Sequence, residues 1–207
     1  SEMCIRDRLQ HALDLQRRAG TGRIGYWLTR ECGLEPAQVT RSLGMQWRCP
    51  VLSTEGFDPD AMALAMPRVL MERTGLVPLR IAGSRLYVGF EDRLDAAAVL
   101  AMERMSGLRV QSGIVAETPW REARRRLCEC AAVEVLVETV ADVEELSKST
   151  AATLSRLQPR ASRLVCVHEL YWLRLWLETG AMSTLEGGIP PAREDVVDRV
   201  YTIAREG

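Results

Sequence analysis

Residues 23–46 read R-I-G-Y-W-L-T-R-E-C-G-L-E-P-A-Q-V-T-R-S-L-G-M-Q, and this stretch decides the fold. It predicts two short helices joined by a turn. Ile24, Trp27 and Leu28 fall at i, i+3 and i+4, one helical face. Cys32 and Gly33 close the first helix, with Gly33 at the left-handed position that follows a helix end. Pro36 suits the first turn of the next helix. Val39 and Leu43 share that helix's inner face, and Gln46 lies one turn further on. The unit thus holds an arginine at its entrance, a glycine beside it, an apolar floor and a glutamine at its exit.

The second half of this unit occurs twice. Leu9, Leu13 and Gln16 repeat the spacing of Val39, Leu43 and Gln46 at an offset of 30 residues. That is a supersecondary-scale period. The chain begins too late to hold the first half of the first copy.

The pattern Arg-(Leu/Ile)-Gly, an apolar pair, a glycine and a closing Leu-x-x-x-Leu-x-x-Gln resembles the N-terminal regulatory domain of type II secretion and type IV pilus assembly ATPases. The resemblance implies tandem motifs that form a helical cradle, which in some members binds cyclic di-GMP. Carried over by residue, Arg23, Ile24, Gly25, Leu28, Val39, Leu43 and Gln46 match the second copy. Leu9, Leu13 and Gln16 match the tail of the first. Cys32 stands where the family has its internal glycine, with Gly33 one place later.

The chemistry of these residue types is compatible with such a ligand. A guanidinium can stack on a purine or grip a phosphate through two parallel hydrogen bonds. A glycine admits close backbone approach, and free N–H groups at a helix start suit a phosphate. Two readings stand at this point. Either the motif binds a cyclic dinucleotide, or the same helices pack and dock onto a component of a secretion or pilus machine, with Arg23 and Gln46 solvated.

The totals narrow the rest. A chain of 207 residues with 47% hydrophobic and 27% charged residues fits one large or two small domains. The net charge of −1 gives no bulk pull toward nucleic acid or anionic membrane. Lys148 is the only lysine and follows Glu145, Leu146 and Ser147, so no Walker A loop is present in this sequence and no enzyme is expected. The six cysteines lack a framework spacing, and Cys128 and Cys130 alone lie close together. Free thiols in a reducing cytoplasm are expected, with no metal and no resident cofactor. No apolar run has the length of a membrane span.

Residues 1–8 match neither the repeat nor the helix after them and are set aside as a non-native leader. Residues 9–47 form the helical tandem-motif subdomain, residues 48–130 an α-β-β-α-β-α subdomain, and residues 131–207 a C-terminal α+β domain. The fold class is α+β: a helical motif-repeat part, a small mixed sheet packed with helices, then a smaller C-terminal segment. In detail, Asp58 and Pro59 open a helix that runs to Thr74. Strands follow at 76–82 and 85–90, joined by Gly83 and Ser84. Asp92 caps the next helix, 108–116 is a third strand, and another helix runs from 118 to 130. Beyond these come a strand near 133–140, a helix over 142–157 and paired strands around a Glu169–Leu170 turn. A last helix spans Ala192 to Arg205. Glu91, Asp92 and Asp95 read as caps and solvated groups, the arginines at 121 and 124–126 as a solvated face, and His168 as structural.

Overall fold

The computed structural model describes residues 5–21, 24–185 and 187–204. Helices α1 (Ile5–Ala19), α2 (Ile24–Arg30) and α3 (Pro36–Gln46) come first. The turn between α2 and α3 forms as the sequence dictates, with Gly33 at φ 64 and Pro36 as the first residue of α3. The Gln38 side chain accepts the Glu35 N–H at 3.3 Å, which satisfies a donor the helix start would leave bare. Helix α1 already runs through residues 5–8, the stretch set aside on sequence grounds. Arg8 contributes to the packing, since its carbonyl accepts the buried Cys32 thiol at 3.3 Å.

A three-stranded mixed sheet follows. Strands β1 (Val77–Ala82) and β2 (Arg85–Phe90) form an antiparallel hairpin, and β3 (Arg109–Ile114) lies parallel to β2. Helices α4 (Pro59–Met62) and α5 (Arg68–Thr74) precede it, α6 (Ala96–Ser106) connects β2 to β3, and α7 (Glu117–Glu129) follows. The single helix expected from Asp58 to Thr74 is broken. Pro67 has no N–H and its ring opposes a helical predecessor, so the chain pauses before α5 restarts. Asp95, not Asp92, caps α6: its carboxylate accepts the Ala98 N–H at 3.0 Å.

The linker after α3 is stitched to the edge of this sheet. Ile114 N–H donates to the Pro50 carbonyl at 3.0 Å and Leu52 N–H donates to the Ile114 carbonyl at 2.8 Å. Gly113 makes this approach possible. A β-carbon there would stand 2.5 Å from the Pro50 carbonyl oxygen, a distance real side chains do not tolerate. Gly113→Ala is therefore expected to push the linker off β3 and cost about 1–3 kcal/mol, the usual range for overpacking. Urea denaturation reads the loss, and amide exchange should show it concentrated at Leu52 and Ile114.

The C-terminal half builds a four-stranded sheet in the order β4 (Val135–Val140), β7 (Val196–Ile203), β6 (Leu170–Trp176), β5 (Ala161–Val167). The expected helix from Ala192 is wrong: this segment is β7, a central strand. Five of its eight residues, Val196, Val197, Val200, Thr202 and Ile203, are β-branched, which favours an extended chain. The helical spacing of Val197, Val200 and Tyr201 misleads because a strand buried on both faces also shows a near-continuous apolar run. The turn between β5 and β6 is His168–Glu169, one residue earlier than expected, since Val167 pairs with Leu170.

Both faces of this sheet are covered. Helix α8 (Val143–Leu157), capped by Asp142, packs Leu146 against Leu173, Leu175 and Tyr201. The opposite face carries Trp172, Trp176 and Val200 into the core shared with the first sheet and α6. The apolar alternation of β6 thus serves two different cores.

Candidate ligand site on the N-terminal helices

Helix α2 packs on α1 and also on α3. Gly25 is the close point of the second contact: a β-carbon on it would meet the Val39 Cγ1 at 3.1 Å. This glycine has a packing reason beside the ligand reason read from the motif. Leu28, Val39, Leu43 and Ile24 are all half-buried, and Leu43 also packs against the main core. Gln46 is exposed at the end of α3. In the first copy, Leu13 and Gln16 are half-buried on α1, while Leu9 is 44% exposed. Both motif tails thus lie on helices, as their spacing predicts. Arg23, the entrance residue, lies outside the described residues.

A shallow, open groove of about 730 Å³ runs along α3 and the start of the linker. Its walls include Gln38, Arg41, Met45, Arg48 and Val51, and none of the nine described residues read as the ligand site lines it. It occupies the helix face beside the one that carries Val39 and Leu43. Sequence reasoning passed over these residues because it followed the apolar face. The signal available was Arg41 four residues before Met45, one helical turn apart. Cys49, in the same groove, has its thiol pushed up by burial, partly offset by a hydrogen bond to Ile114, so it stays neutral and contributes apolar surface.

The other charged groups singled out in the sequence are occupied. On α7, Arg121 pairs with Glu117 at 2.6 Å and Arg125 with Glu122 at 2.6 Å. Arg124 lies over the Trp120 ring and Arg126 over that of Phe57. The hydrogen bond from Arg125 holds the Glu122 carboxyl below its ordinary value. His168 Nε2 lies 2.6 Å from the Asp95 carboxylate, which fastens the β5–β6 turn to the start of α6. Burial pushes the Asp95 carboxyl up, but the hydrogen bonds from His168, Ala98 and Ala97 outweigh it and leave it lowered. Burial likewise raises the Cys130 thiol. Among the described residues no group of three or more His, Cys, Asp or Glu side chains is placed to hold a metal ion, and no helix is long and apolar enough to cross a membrane.

Residues 47–133 match the family model of the MshEN domain. The chain is 27% identical over 157 residues to the type IV pilus assembly ATPase PilB of Myxococcus xanthus, which is 74% of this chain and 27% of that protein. It therefore spans about a quarter of the length of that relative. Among solved structures it is similar to MshE with cdg, at 24% identity and a TM-score of 0.45 over 58% of this chain and 87% of the other. It is also similar to the N-terminal domain of XpsE, at 16% identity and a TM-score of 0.37 over 60% of this chain and 86% of the other.

Proposed function

Starting from residues 47–133 as an MshEN domain, we propose that this chain is a non-catalytic regulatory module of the type II secretion and type IV pilus ATPase kind, and that its helices α1–α3 bind cyclic di-GMP. One observation supports this reading. The described part of the motif forms α2 (Ile24–Arg30) and α3 (Pro36–Gln46) directly ahead of the matched residues, with α3 packed onto β3. Arg23 and Gly25 would meet phosphate, Leu28, Val39 and Leu43 would floor a purine, and Gln46 would bond its edge. Leu9, Leu13 and Gln16 on α1 would supply the matching half from the first copy. The reading implies a cytoplasmic module whose output goes to a machinery protein.

A second reading is a docking adaptor with no small ligand. It is favoured by the apolar surface left bare at the end of α3, where Met45 is 74%, Val51 47% and Trp47 38% exposed.

Calorimetric titration of cyclic di-GMP separates the two. The sensor reading expects saturable binding, and Arg23→Ala should weaken it by about 1.5–3 kcal/mol for each charge-assisted hydrogen bond lost. Each 1.4 kcal/mol is roughly a tenfold change in affinity. A folded chain that gives no heat with cyclic di-GMP, with or without Arg23, leaves the adaptor as the function.

A further inference from the structure

Among the described residues four strands stand at sheet edges, β1 and β3 in the first sheet, β4 and β5 in the second. An open edge offers its unpaired N–H and C=O groups to another strand, and proteins blunt such edges with proline, bulges, inward charges or a covering element. Strand β1 carries Pro78 and a register shift between Pro78 and Arg80. Strand β3 gives its outward amides away: Val110 N–H donates to the Glu103 carboxylate at 2.9 Å and Ile114 N–H to the Pro50 carbonyl at 3.0 Å. Strand β5 lies along α6. It is tied there by the His168–Asp95 contact at one end and by the Arg163 guanidinium on the Arg104 and Met105 carbonyls at the other.

Strand β4 has none of these devices. Its sequence, V-L-V-E-T-V, holds no proline and no basic residue, and its parallel register with β7 is unbroken. The Glu134 and Val140 carbonyls accept the Asp198 and Ala204 N–H groups at 3.0 and 2.8 Å. Residues of even number therefore turn their backbone to β7, and Val135, Val137 and Thr139 turn theirs outward. No described residue bonds those outward groups. Apolar side chains are bare there too, with Leu136 50% and Val137 54% exposed. The one charge in the strand, Glu138, is drawn back from the edge by Arg199 at 3.7 Å and by the Ser149 hydroxyl at 3.3 Å.

We propose that β4 pairs antiparallel with β4 of a second copy of this chain, about a two-fold axis at Val137, joining the two four-stranded sheets into one. The strand is complementary to itself in that register. Val137 meets Val137 of the second copy and Val135 meets Thr139, so every outward N–H and C=O of β4 finds a partner. Leu136 then lies opposite Glu138, whose carboxylate is already held within its own chain. Moving the axis by one residue breaks this match. Centred on Leu136, Glu134 faces Glu138; centred on Glu138, that residue faces itself. Like charges directly opposite each other are destabilising. A second copy supplies the matching apolar pattern by symmetry, in the manner of an isologous dimer. The edge belongs to the C-terminal sheet, outside α1–α3, so its pairing stands or falls separately from cyclic di-GMP binding.

Sedimentation velocity of the whole chain over a concentration series should show monomer passing to dimer. Val137→Pro removes an N–H that bonds nothing within one copy, and an edge strand tolerates proline at such a position. The dimer should vanish in this variant while the melting temperature stays level. Val137→Lys sets two ammonium groups at the axis and should abolish the dimer as well, which keeps the result readable if the proline variant misfolds. Cα atoms of a hydrogen-bonded antiparallel pair stand about 5.5 Å apart, within reach of a disulfide. Under mild oxidation Val137→Cys should therefore give a covalent dimer well above the background of the native cysteines. Thr139→Cys, which faces Val135, should not. A dimer that survives both Val137→Pro and Val137→Lys would overturn the proposal, and so would equal cross-linking of the two cysteine variants. A chain that stays monomeric at every concentration would also overturn it, leaving the edge to a strand of another protein.

Discussion

Asp198→Ala should destabilise the protein by about 3–5 kcal/mol, the range for breaking one side of a buried ion pair. Asp198 and Arg174 face each other across β7 and β6, and both are shut off from water at 0% and 2% exposure. The guanidinium grips the carboxylate with two bonds, Nε to Oδ1 at 2.8 Å and Nη2 to Oδ2 at 2.7 Å. The Trp172 indole N–H gives Oδ1 a further bond at 2.9 Å, and the Trp172 ring lies 5.0 Å from the Arg174 guanidinium carbon. Alanine would leave that guanidinium buried with only the Ala65 carbonyl, 3.4 Å from Nη1, as a polar partner. The indole N–H would lose its acceptor as well. Arg174→Leu together with Asp198→Leu removes both charges, so the double variant should recover most of what the single one loses. A urea midpoint for each variant checks this. A double variant no more stable than Asp198→Ala would mean that the pair stabilises the fold on balance.

The pair shows where sequence reading stopped. The apolar run of β6 is compatible with burial on both faces or with one interaction surface, and the structure buries both. An arginine inside it reads as an interruption, because its acid lies 24 residues away on a strand that itself reads as a helix. Recognising Val196–Ile203 as a strand requires knowing that it fills the gap between β4 and β6, which is tertiary information. Local signals fared better. Gly33, Pro36 and Gly75 mark helix boundaries through backbone geometry alone, at the expected places. The Pro67 break is equally local, since a proline has no N–H to carry the helix on. For the site, the motif fixed which helices matter. It could not reveal the groove beside it, since that groove forms only where the linker after α3 turns back against the helix.

Trp176→Ala should cost a comparable 3–5 kcal/mol or so, through the cavity left by the largest kind of side chain. Trp176 is 1% exposed at the end of β6, and three separate elements depend on it. Its indole N–H donates to the Thr184 hydroxyl at 3.2 Å, which holds the 3-10 segment Thr179–Leu185. Its ring lies under the Arg163 guanidinium at 5.9 Å. That guanidinium donates to the Arg104 and Met105 carbonyls at 2.9 and 3.0 Å, at the end of α6 where helical carbonyls lack partners of their own. Loss of the ring should therefore loosen the last turn of α6 and the 3-10 segment together. Amide exchange should rise in both before it rises in α2, which packs on α1 and α3. Trp172, Arg174 and Trp176 alternate onto one face of β6, so the two variants disturb adjoining parts of one packed layer. Asp198→Ala combined with Trp176→Ala should cost less than the two singly added, by a coupling of about 0.5–3 kcal/mol. Strict additivity would instead make the ion pair and the tryptophan independent supports, and the shared core would be two cores in contact.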